Sequence, residues 1–195
     1  MTTQPAQANN IDQFYSATRL FYTNGEVATF NYSSLLQLKQ PIAKIKAKRS
    51  SSQAAKISPQ ERYGLEPTLL ILTGALVMLT MSLWPSVGLC NDSTGTIMDI
   101  IYTTPHKHPD LPVVVIVKFH NYIGPSISEN IPSLVAIAPV DVSAQYGNSV
   151  HERQQLPLKL AWTLNIHKSQ GLPLPKAWVH IGKSEQTLDV TYGLV

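Results

Sequence analysis

The sequence predicts an α/β chain whose middle is an all-β module. A strand, a turn and a helix follow one another over residues 19–38. Several short apolar runs separated by turn residues then occupy residues 65–145, a pattern typical of a small β-barrel. An apolar helix over residues 156–168, buried on most sides, and a last strand over residues 178–181 complete the chain.

The composition indicates a folded chain of modest size. Its 195 residues are 44% hydrophobic and 14% charged, with a net charge of +3. This supplies enough apolar surface to offset chain entropy and excludes a mostly disordered chain. The one cysteine, Cys90, cannot form an internal disulfide and fits a reducing compartment. The mild positive charge is compatible with a nucleic-acid partner.

The first elements follow a polar leader. Residues 1–12 lack the apolar core of a targeting signal, and we predict that they are disordered. A strand over residues 19–22 leads through the turn 23–25 into a helix over residues 26–38. Four apolar side chains carry the helical period: Val27, Phe30, Leu35 and Leu38.

Residues 39–60 are predicted to be a basic linker. No acid lies between Glu26 and Glu61, and Ser50 to Ser52 with Pro59 give turn character. The stretch contains six basic residues: Lys39, Lys44, Lys46, Lys48, Arg49 and Lys56. It is either a patch for phosphate contact or nuclear import, or a solvated surface loop, and the sequence favours neither.

The all-β module contains five runs with strand character. They are residues 69–72, 75–80, 95–102, 113–119 and 135–142. Glycines, prolines and the pair Asn91-Asp92 separate these runs. We therefore predict a small barrel of short strands.

One stretch of this module has the hydropathy of a membrane span. Residues 67–90 contain no charged side chain. Small polar residues interrupt the run, Pro85 and Gly88 break its end, and no close cluster of positive charge flanks it. We predict buried strands here, with a small single-span membrane protein as the alternative.

The sequence predicts no catalytic residue and no metal site. Residues 182–184, Gly-Lys-Ser, resemble the end of a phosphate-binding loop, but Ala177 stands where its first glycine is needed. His106 and His108 have no further ligand at a suitable spacing. Cys90 has no identifiable base.

Three segments, in the same order, resemble a known family. They are RLFYTNGEVATFN (residues 19–31), GALVMLTMSLWPSVGLCNDSTGTIMDI (residues 74–100), and LPLKLAW followed by IHKSQG (residues 156–171). They resemble motif IV, the stretch leading into a small barrel insertion, and motif V of Pif-type (petite integration frequency) DNA helicases of superfamily one. KFHNYIGPSISEN is also similar to barrel sequence of this family, and the resemblance covers roughly residues 12–192.

The resemblance implies a partial second RecA-like domain with an inserted small β-barrel. Residues 13–64 would be its first part and would include the basic linker 39–60. Residues 65–150 would be the inserted barrel, and residues 151–195 the remainder of the RecA-like domain.

The resemblance also implies a DNA-binding segment. Motif V of such helicases reaches toward single-stranded DNA, and its positions here are His167, Lys168, Ser169, Gln170 and Gly171. Imidazole and ammonium groups can donate to phosphate oxygens, and glycine allows close backbone approach. Alternatively, the two cations only cap the C-terminal end of a buried helix.

Motif V couples DNA contact to a nucleotide cleft in this family. Thr23, Asn24 and Gln170 are the candidates for that cleft here. The phosphate-binding loop and the Asp-Glu pair that holds magnesium have no counterpart in these residues, and no arginine follows Arg153. The resemblance therefore implies that ATP and magnesium bind only in the full-length enzyme, together with a missing N-terminal RecA-like domain.

Several residues depart from the family's usual pattern. Each change removes a plausible polar contact or, at Asp92, adds a negative charge, as a decaying or transposon-derived copy would show. The departing positions are Thr73, Leu76, Ser82, Asp92, Asn165 and Pro173. At Asn165 the family usually has threonine, and at Asp92 glycine.

The implied function is that of a C-terminal fragment of an ATP-dependent 5′-to-3′ DNA helicase, inactive as a lone chain. The resemblance also implies a role in DNA repair, recombination and telomere maintenance. The implied location is the nucleus or, alternatively, the mitochondrion. A second interpretation is an ATP-independent module for single-stranded DNA. In that case Tyr102, Phe119 and Tyr122 would stack on bases.

Overall fold

The structure is a computed structural model. It describes residues 17–51, 58–59, 61, 63–103, 110–146, 148–169 and 177–180. These residues are mostly strand, and the predicted α/β class is confirmed. In chain order the elements are β1 (Thr18–Phe21), α1 (Asn24–Gln37), β2 (Ala43–Lys46), β3 (Lys48–Arg49), β4 (Thr68–Ile71), β5 (Leu76–Leu79), β6 (Thr94–Ile101), β7 (Val114–Phe119), β8 (Leu134–Ile137), β9 (Val140–Tyr146), β10 (Ser149–Gln155), β11 (Leu158–Leu160), β12 (Thr163–Asn165) and β13 (Ala177–Val179). Short 3-10 turns lie at Pro85–Val87 and Ile166–Lys168.

The described residues divide into two compact units. The first unit combines residues 17–34 with the described part of 162–180, and the second unit is residues 35–161. The first unit is therefore built from segments at opposite ends of the described chain.

The first unit is a parallel sheet in the order β12-β1-β13. The central strand β1 places Leu20 level with Leu164 on one side and Val179 on the other. Leu20 is fully buried, so this row is the apolar centre of the unit. Helix α1 begins three residues after β1 ends, and its Asn31 side chain hydrogen-bonds both the N–H and the carbonyl of Thr163 (3.1 and 3.4 Å). Asn31 thereby satisfies both backbone polar groups of Thr163, the first residue of β12.

The second unit contains an antiparallel sheet in the order β11-β5-β6-β7-β8. A three-stranded sheet, β3-β10-β9, and the pair β2-β4 accompany it. The core of this unit is apolar and includes Ile45, Leu65, Ile71, Leu72, Val77, Leu79, Ile97, Val115, Val117 and Phe119. Strand β6 contains a register shift between Ile97 and Asp99, which bends it locally.

Closure into a barrel is not shown within the described ranges. The edge strands of the five-stranded sheet, β11 and β8, are not hydrogen-bonded to each other there. The small barrel therefore stays a prediction, although all five predicted runs contain strands.

The predicted helix over residues 156–168 is wrong. That segment forms β11, β12 and the 3-10 turn Ile166–Lys168. A fully buried strand and a fully buried helix can both consist of a continuous apolar run. Hydrophobic periodicity therefore does not distinguish them. The deciding contacts are distant: β12 pairs with β1, and the Thr163 hydroxyl donates to the Arg19 carbonyl, 144 residues away in the chain (2.5 Å).

The charge-free stretch 67–90 also forms strands. It contains β4, β5 and the turn Pro85–Val87 in place of one helix. No helix in the described part of the chain combines the length and apolar character needed to cross a bilayer.

Part of the predicted basic linker forms strands as well. Strand β2 pairs with β4, and β3 pairs with β10 through Lys48 and Arg49. Ile45 on β2 is buried and anchors this segment to the second unit.

Candidate nucleic-acid interface

The candidate site lies where the three parallel strands of the first unit end. The loop Tyr22 to Asn24 follows β1, the turn 166–169 follows β12, and His180 follows β13. Because the strands are parallel, their carboxyl ends share one edge of the sheet. This edge is where open α/β sheets bind ligands.

Asn165 joins two of these loops. Its carboxamide nitrogen donates to the Tyr22 carbonyl (2.8 Å) and to the Asn24 side-chain oxygen (3.3 Å). Its carboxamide oxygen accepts from the His167 backbone N–H (2.9 Å), which caps the 3-10 turn. Asn165 is 9% exposed, so these bonds form largely out of water. The loop after β1 and the turn after β12 are thus held together by one side chain.

The turn presents His167 and buries Ser169. His167 is exposed, and its ring meets the Tyr22 ring edge-on at 5.4 Å between centroids. Ser169 is 1% exposed, and its hydroxyl donates to the Ile166 carbonyl (2.7 Å). Ser169 therefore closes the turn and is not displayed to a ligand in this conformation.

The other predicted DNA-binding positions are only partly described. The backbone of Lys168 belongs to the 3-10 turn next to His167. Gln170 and Gly171 lie outside the described residues.

Thr23 is engaged in capping α1. The Glu26 N–H donates to the Thr23 hydroxyl (3.2 Å), while the Thr23 N–H and hydroxyl donate to the Glu26 carboxylate (3.1 and 2.7 Å). This reciprocal arrangement is a capping box. The hydrogen bonds from the Thr23 side chain and backbone lower the pKa of Glu26 below its ordinary value of 4.5. Both nucleotide-cleft candidates of this loop, Thr23 and Asn24, therefore already have protein partners.

Aromatic and cationic side chains line the same sheet. The Arg19 guanidinium lies 5.0 Å from the Phe30 ring centre and 5.3 Å from that of Trp178. Phe21 stacks on His180 at 4.5 Å, with 7° between the ring planes. The exposed His180 is thus held at the site edge by stacking.

Sequence reasoning missed Tyr22, Asn165 and His180 as members of one edge. A short-range signal for the loop was present, because Thr23-Asn24-Gly25-Glu26 has the Ser/Thr-x-x-Glu pattern of a capping box. The parallel pairing of β1, β12 and β13 has no comparable local signal.

The three aromatics predicted to stack on bases are poorly suited to that role. Phe119 and Tyr122 are buried, and the Tyr122 hydroxyl donates to the Pro125 carbonyl (3.0 Å). Tyr102 is half-buried, and burial raises its pKa. The prediction of a stacking platform at Phe119 and Tyr122 is therefore wrong.

No group of three or more His, Cys, Asp or Glu suited to a metal ion occurs among the residues that the structure describes. His106, His108 and the Gly-Lys-Ser at 182–184 lie outside those residues.

Over most of its length this chain has the same fold as part of several solved structures of Pif1 helicases. The Candida albicans Pif1 helicase matches with a TM-score of 0.65 and 22% identity, over 84% of this chain and 39% of that one. Bacteroides sp Pif1 in complex with ADP-AlF4 matches with a TM-score of 0.61 and 19% identity, over 91% of this chain and 37% of that one. Bacteroides Pif1 bound to ssDNA matches with a TM-score of 0.57 and 17% identity, over 91% of this chain and 40% of that one.

The chain spans less than half the length of each of these structures. No family model matches the sequence, and no curated protein matches it. The resemblance to Pif-type helicases is thus confirmed at the level of the fold.

Proposed function

We propose that this chain is the DNA-gripping C-terminal part of an ATP-dependent 5′-to-3′ DNA helicase. The observation that carries the proposal is the Asn165 bridge between the loop after β1 and the turn after β12. A motor of this kind needs its DNA contact and its nucleotide cleft to move together. The buried carboxamide of Asn165 hydrogen-bonds both loops and can therefore couple their movements.

In this proposal the turn after β12 contacts single-stranded DNA. His167 and Lys168 donate to phosphates, and Gln170 and Gly171 extend the contact. Ser169 acts indirectly by closing the turn. The matched structure of Bacteroides Pif1 is bound to ssDNA, which supports this choice of ligand.

The nucleotide cleft would be completed by another domain. Thr23, Asn24 and Gln170 would face it, while an N-terminal RecA-like domain would hold ATP and magnesium. The ADP-AlF4 bound to a matched Pif1 structure supports a nucleotide in the whole enzyme. Residues 65–150 would be the inserted small barrel, and cellular action would be in the nucleus or the mitochondrion.

Fluorescence anisotropy of a labelled single-stranded oligonucleotide across a salt series tests the proposal. We expect binding that weakens steeply with salt, and Lys168→Gln should reduce the log–log salt slope by about 0.7. His167→Ala should weaken binding at every salt concentration. Lys118→Gln, at an exposed position on β7, is the matched control and should change neither.

Unaltered affinity and slope in both His167→Ala and Lys168→Gln would contradict the proposed DNA contact. The same preparations should release no phosphate from ATP, with or without the oligonucleotide. Release stimulated by single-stranded DNA would contradict the assignment of ATP chemistry to another domain.

A further inference from the structure

The segment 43–49 displays a row of positive charge on the second unit. On β2, Lys44 and Lys46 are exposed on either side of the buried Ile45. On β3, Lys48 and Arg49 are both exposed. We call Lys44, Lys46, Lys48 and Arg49 the basic stripe.

Strand geometry places the two lysines of β2 on the same face. Successive side chains of a strand alternate between its faces, so Lys44 and Lys46 share one face about 6.8 Å apart. Lys48 and Arg49 are exposed on the next strand, β3, a few residues further along the chain. Several exposed cations within one short segment match an extended polyanion better than they match a single compact anion.

The stripe is not neutralised by its neighbours. Across the β2-β4 ladder, Lys44 and Lys46 face Leu70 and Thr68, which carry no charge. Across the β3-β10 ladder, Lys48 and Arg49 face Gln154 and Arg153. Among the described residues none of the four stripe side chains forms an ion pair. Like charges at this spacing repel one another, and a bound anion relieves that repulsion.

The stripe is also held in place by the fold. The Gln155 carboxamide, which is fully buried, donates to the carbonyls of Ile45 (3.4 Å) and Glu66 (3.2 Å). Just after β3, the Ser50 N–H donates to the Glu152 carbonyl (3.2 Å), and the Ser50 hydroxyl accepts from the Glu152 N–H (2.9 Å). Hydrogen bonds at Ile45 and at Ser50 therefore fix the backbone of the segment that carries the stripe.

We propose that the basic stripe is a second phosphate-binding surface. It binds the backbone of single-stranded DNA separately from the turn after β12. The stripe offers ammonium and guanidinium donors, while the aromatic candidates Phe119 and Tyr122 are buried. It therefore binds phosphates without reading bases, and its contribution is independent of sequence. The choice of a single strand as the ligand rests on the proposed function.

The test is the salt dependence of oligonucleotide binding by the full 195-residue chain. The triple variant Lys44→Gln, Lys46→Gln, Lys48→Gln should lower the log–log slope by about 2, since each phosphate contact contributes about 0.7 on a single strand. The corresponding triple arginine variant should keep the wild-type slope. Lys118→Gln should also keep it, and thermal melting confirms that each variant is folded.

The outcomes separate this inference from the proposed function. An unchanged slope in the triple glutamine variant overturns the inference, even where Lys168→Gln still lowers the slope. A reduced slope in the triple variant, with no effect of either His167→Ala or Lys168→Gln, supports the stripe and contradicts the contact at the turn. An equal or larger effect on a blunt duplex overturns the assignment to a single strand, and a folded chain that binds neither DNA at low salt overturns both proposals.

Discussion

At the residue scale, the carboxamide of Asn165 satisfies three partners that a threonine could not satisfy together. It donates to Tyr22 and Asn24 and accepts from His167. A threonine hydroxyl has one proton and a shorter reach. Asparagine at this position therefore makes a set of contacts that the threonine usual in Pif-type helicases could not make together.

We expect Asn165→Ala to lower the free energy of unfolding by about 1–2 kcal/mol, because the turn loses its cap and the Tyr22 carbonyl loses its donor. Asn165→Asp keeps the acceptor for His167 but loses the donor, and it should also destabilise the chain. Urea denaturation measures both effects. The exposed Asn130 provides the control, and Asn130→Ala should cost less than about 0.5 kcal/mol. Equal midpoints for Asn165→Ala and Asn130→Ala would refute the bridging role.

Asp92 is a second departure that the structure explains. Its backbone has φ of 65°, the left-handed conformation in which the family's usual glycine is favoured. Its carboxylate pairs with the Lys159 ammonium at 3.1 Å, and both side chains are about one-fifth exposed. The added negative charge therefore has a partner on β11.

A double-mutant cycle tests this pair. Lys159→Gln should destabilise the wild-type chain, while it should have little effect once Asp92→Gly is present. We expect a coupling of about 0.5–1 kcal/mol at low salt, shrinking as salt is added. Strict additivity of the two changes would show that the ion pair contributes nothing.

At the element scale, α1 begins at its capping box. The helix starts at Asn24, two residues before the predicted start, because Thr23 and Glu26 cap one another. The Thr-x-x-Glu pattern was visible in the sequence and would have given the correct start. Because Glu26 caps the helix through its carboxylate, the cap is also sensitive to pH.

The pKa of Glu26 is lowered by its bonds to Thr23, with a smaller contribution of the same sign from His180. A carboxylate with a lowered folded-state pKa stabilises the fold above its unfolded pKa and stops doing so as pH falls through the folded value. We therefore expect Glu26→Gln to have a lower melting temperature than the wild type at neutral pH. The gap should close as the solution is acidified below pH 4.5. Parallel melting curves at all pH values would contradict this account.

The strands of the all-β module were easier to predict than those of residues 156–168, for which we predicted a helix. The runs in the all-β module are short and bounded by turn residues, which favours strands. The segment 156–168 offered only apolar composition, and its strand β12 depends on pairing with β1 near the other end of the chain. Local pattern cannot report a partner that far away.

At the scale of the whole molecule, the first unit exists because distant segments meet. Strand β1 pairs with both β12 and β13, and the 127 residues of the second unit lie between them in sequence. The order of the three family-like segments implies a domain that is interrupted by an inserted module, and this domain division stays a prediction. The pattern of apolar and turn residues predicted the strands of the all-β module, but it did not predict the sheet edge at which Tyr22, Asn165 and His180 lie together.

We propose above all that the loop after β1 and the turn after β12 form one DNA-binding site. Hydrogen–deuterium exchange of the full chain, with and without an unlabelled single-stranded oligonucleotide, tests it most directly. We predict that DNA slows exchange in peptides covering residues 22–27 and 163–169 together, since Asn165 ties them to each other. Protection of only one of these peptides, or of neither while the chain is saturated with DNA, would contradict the claim.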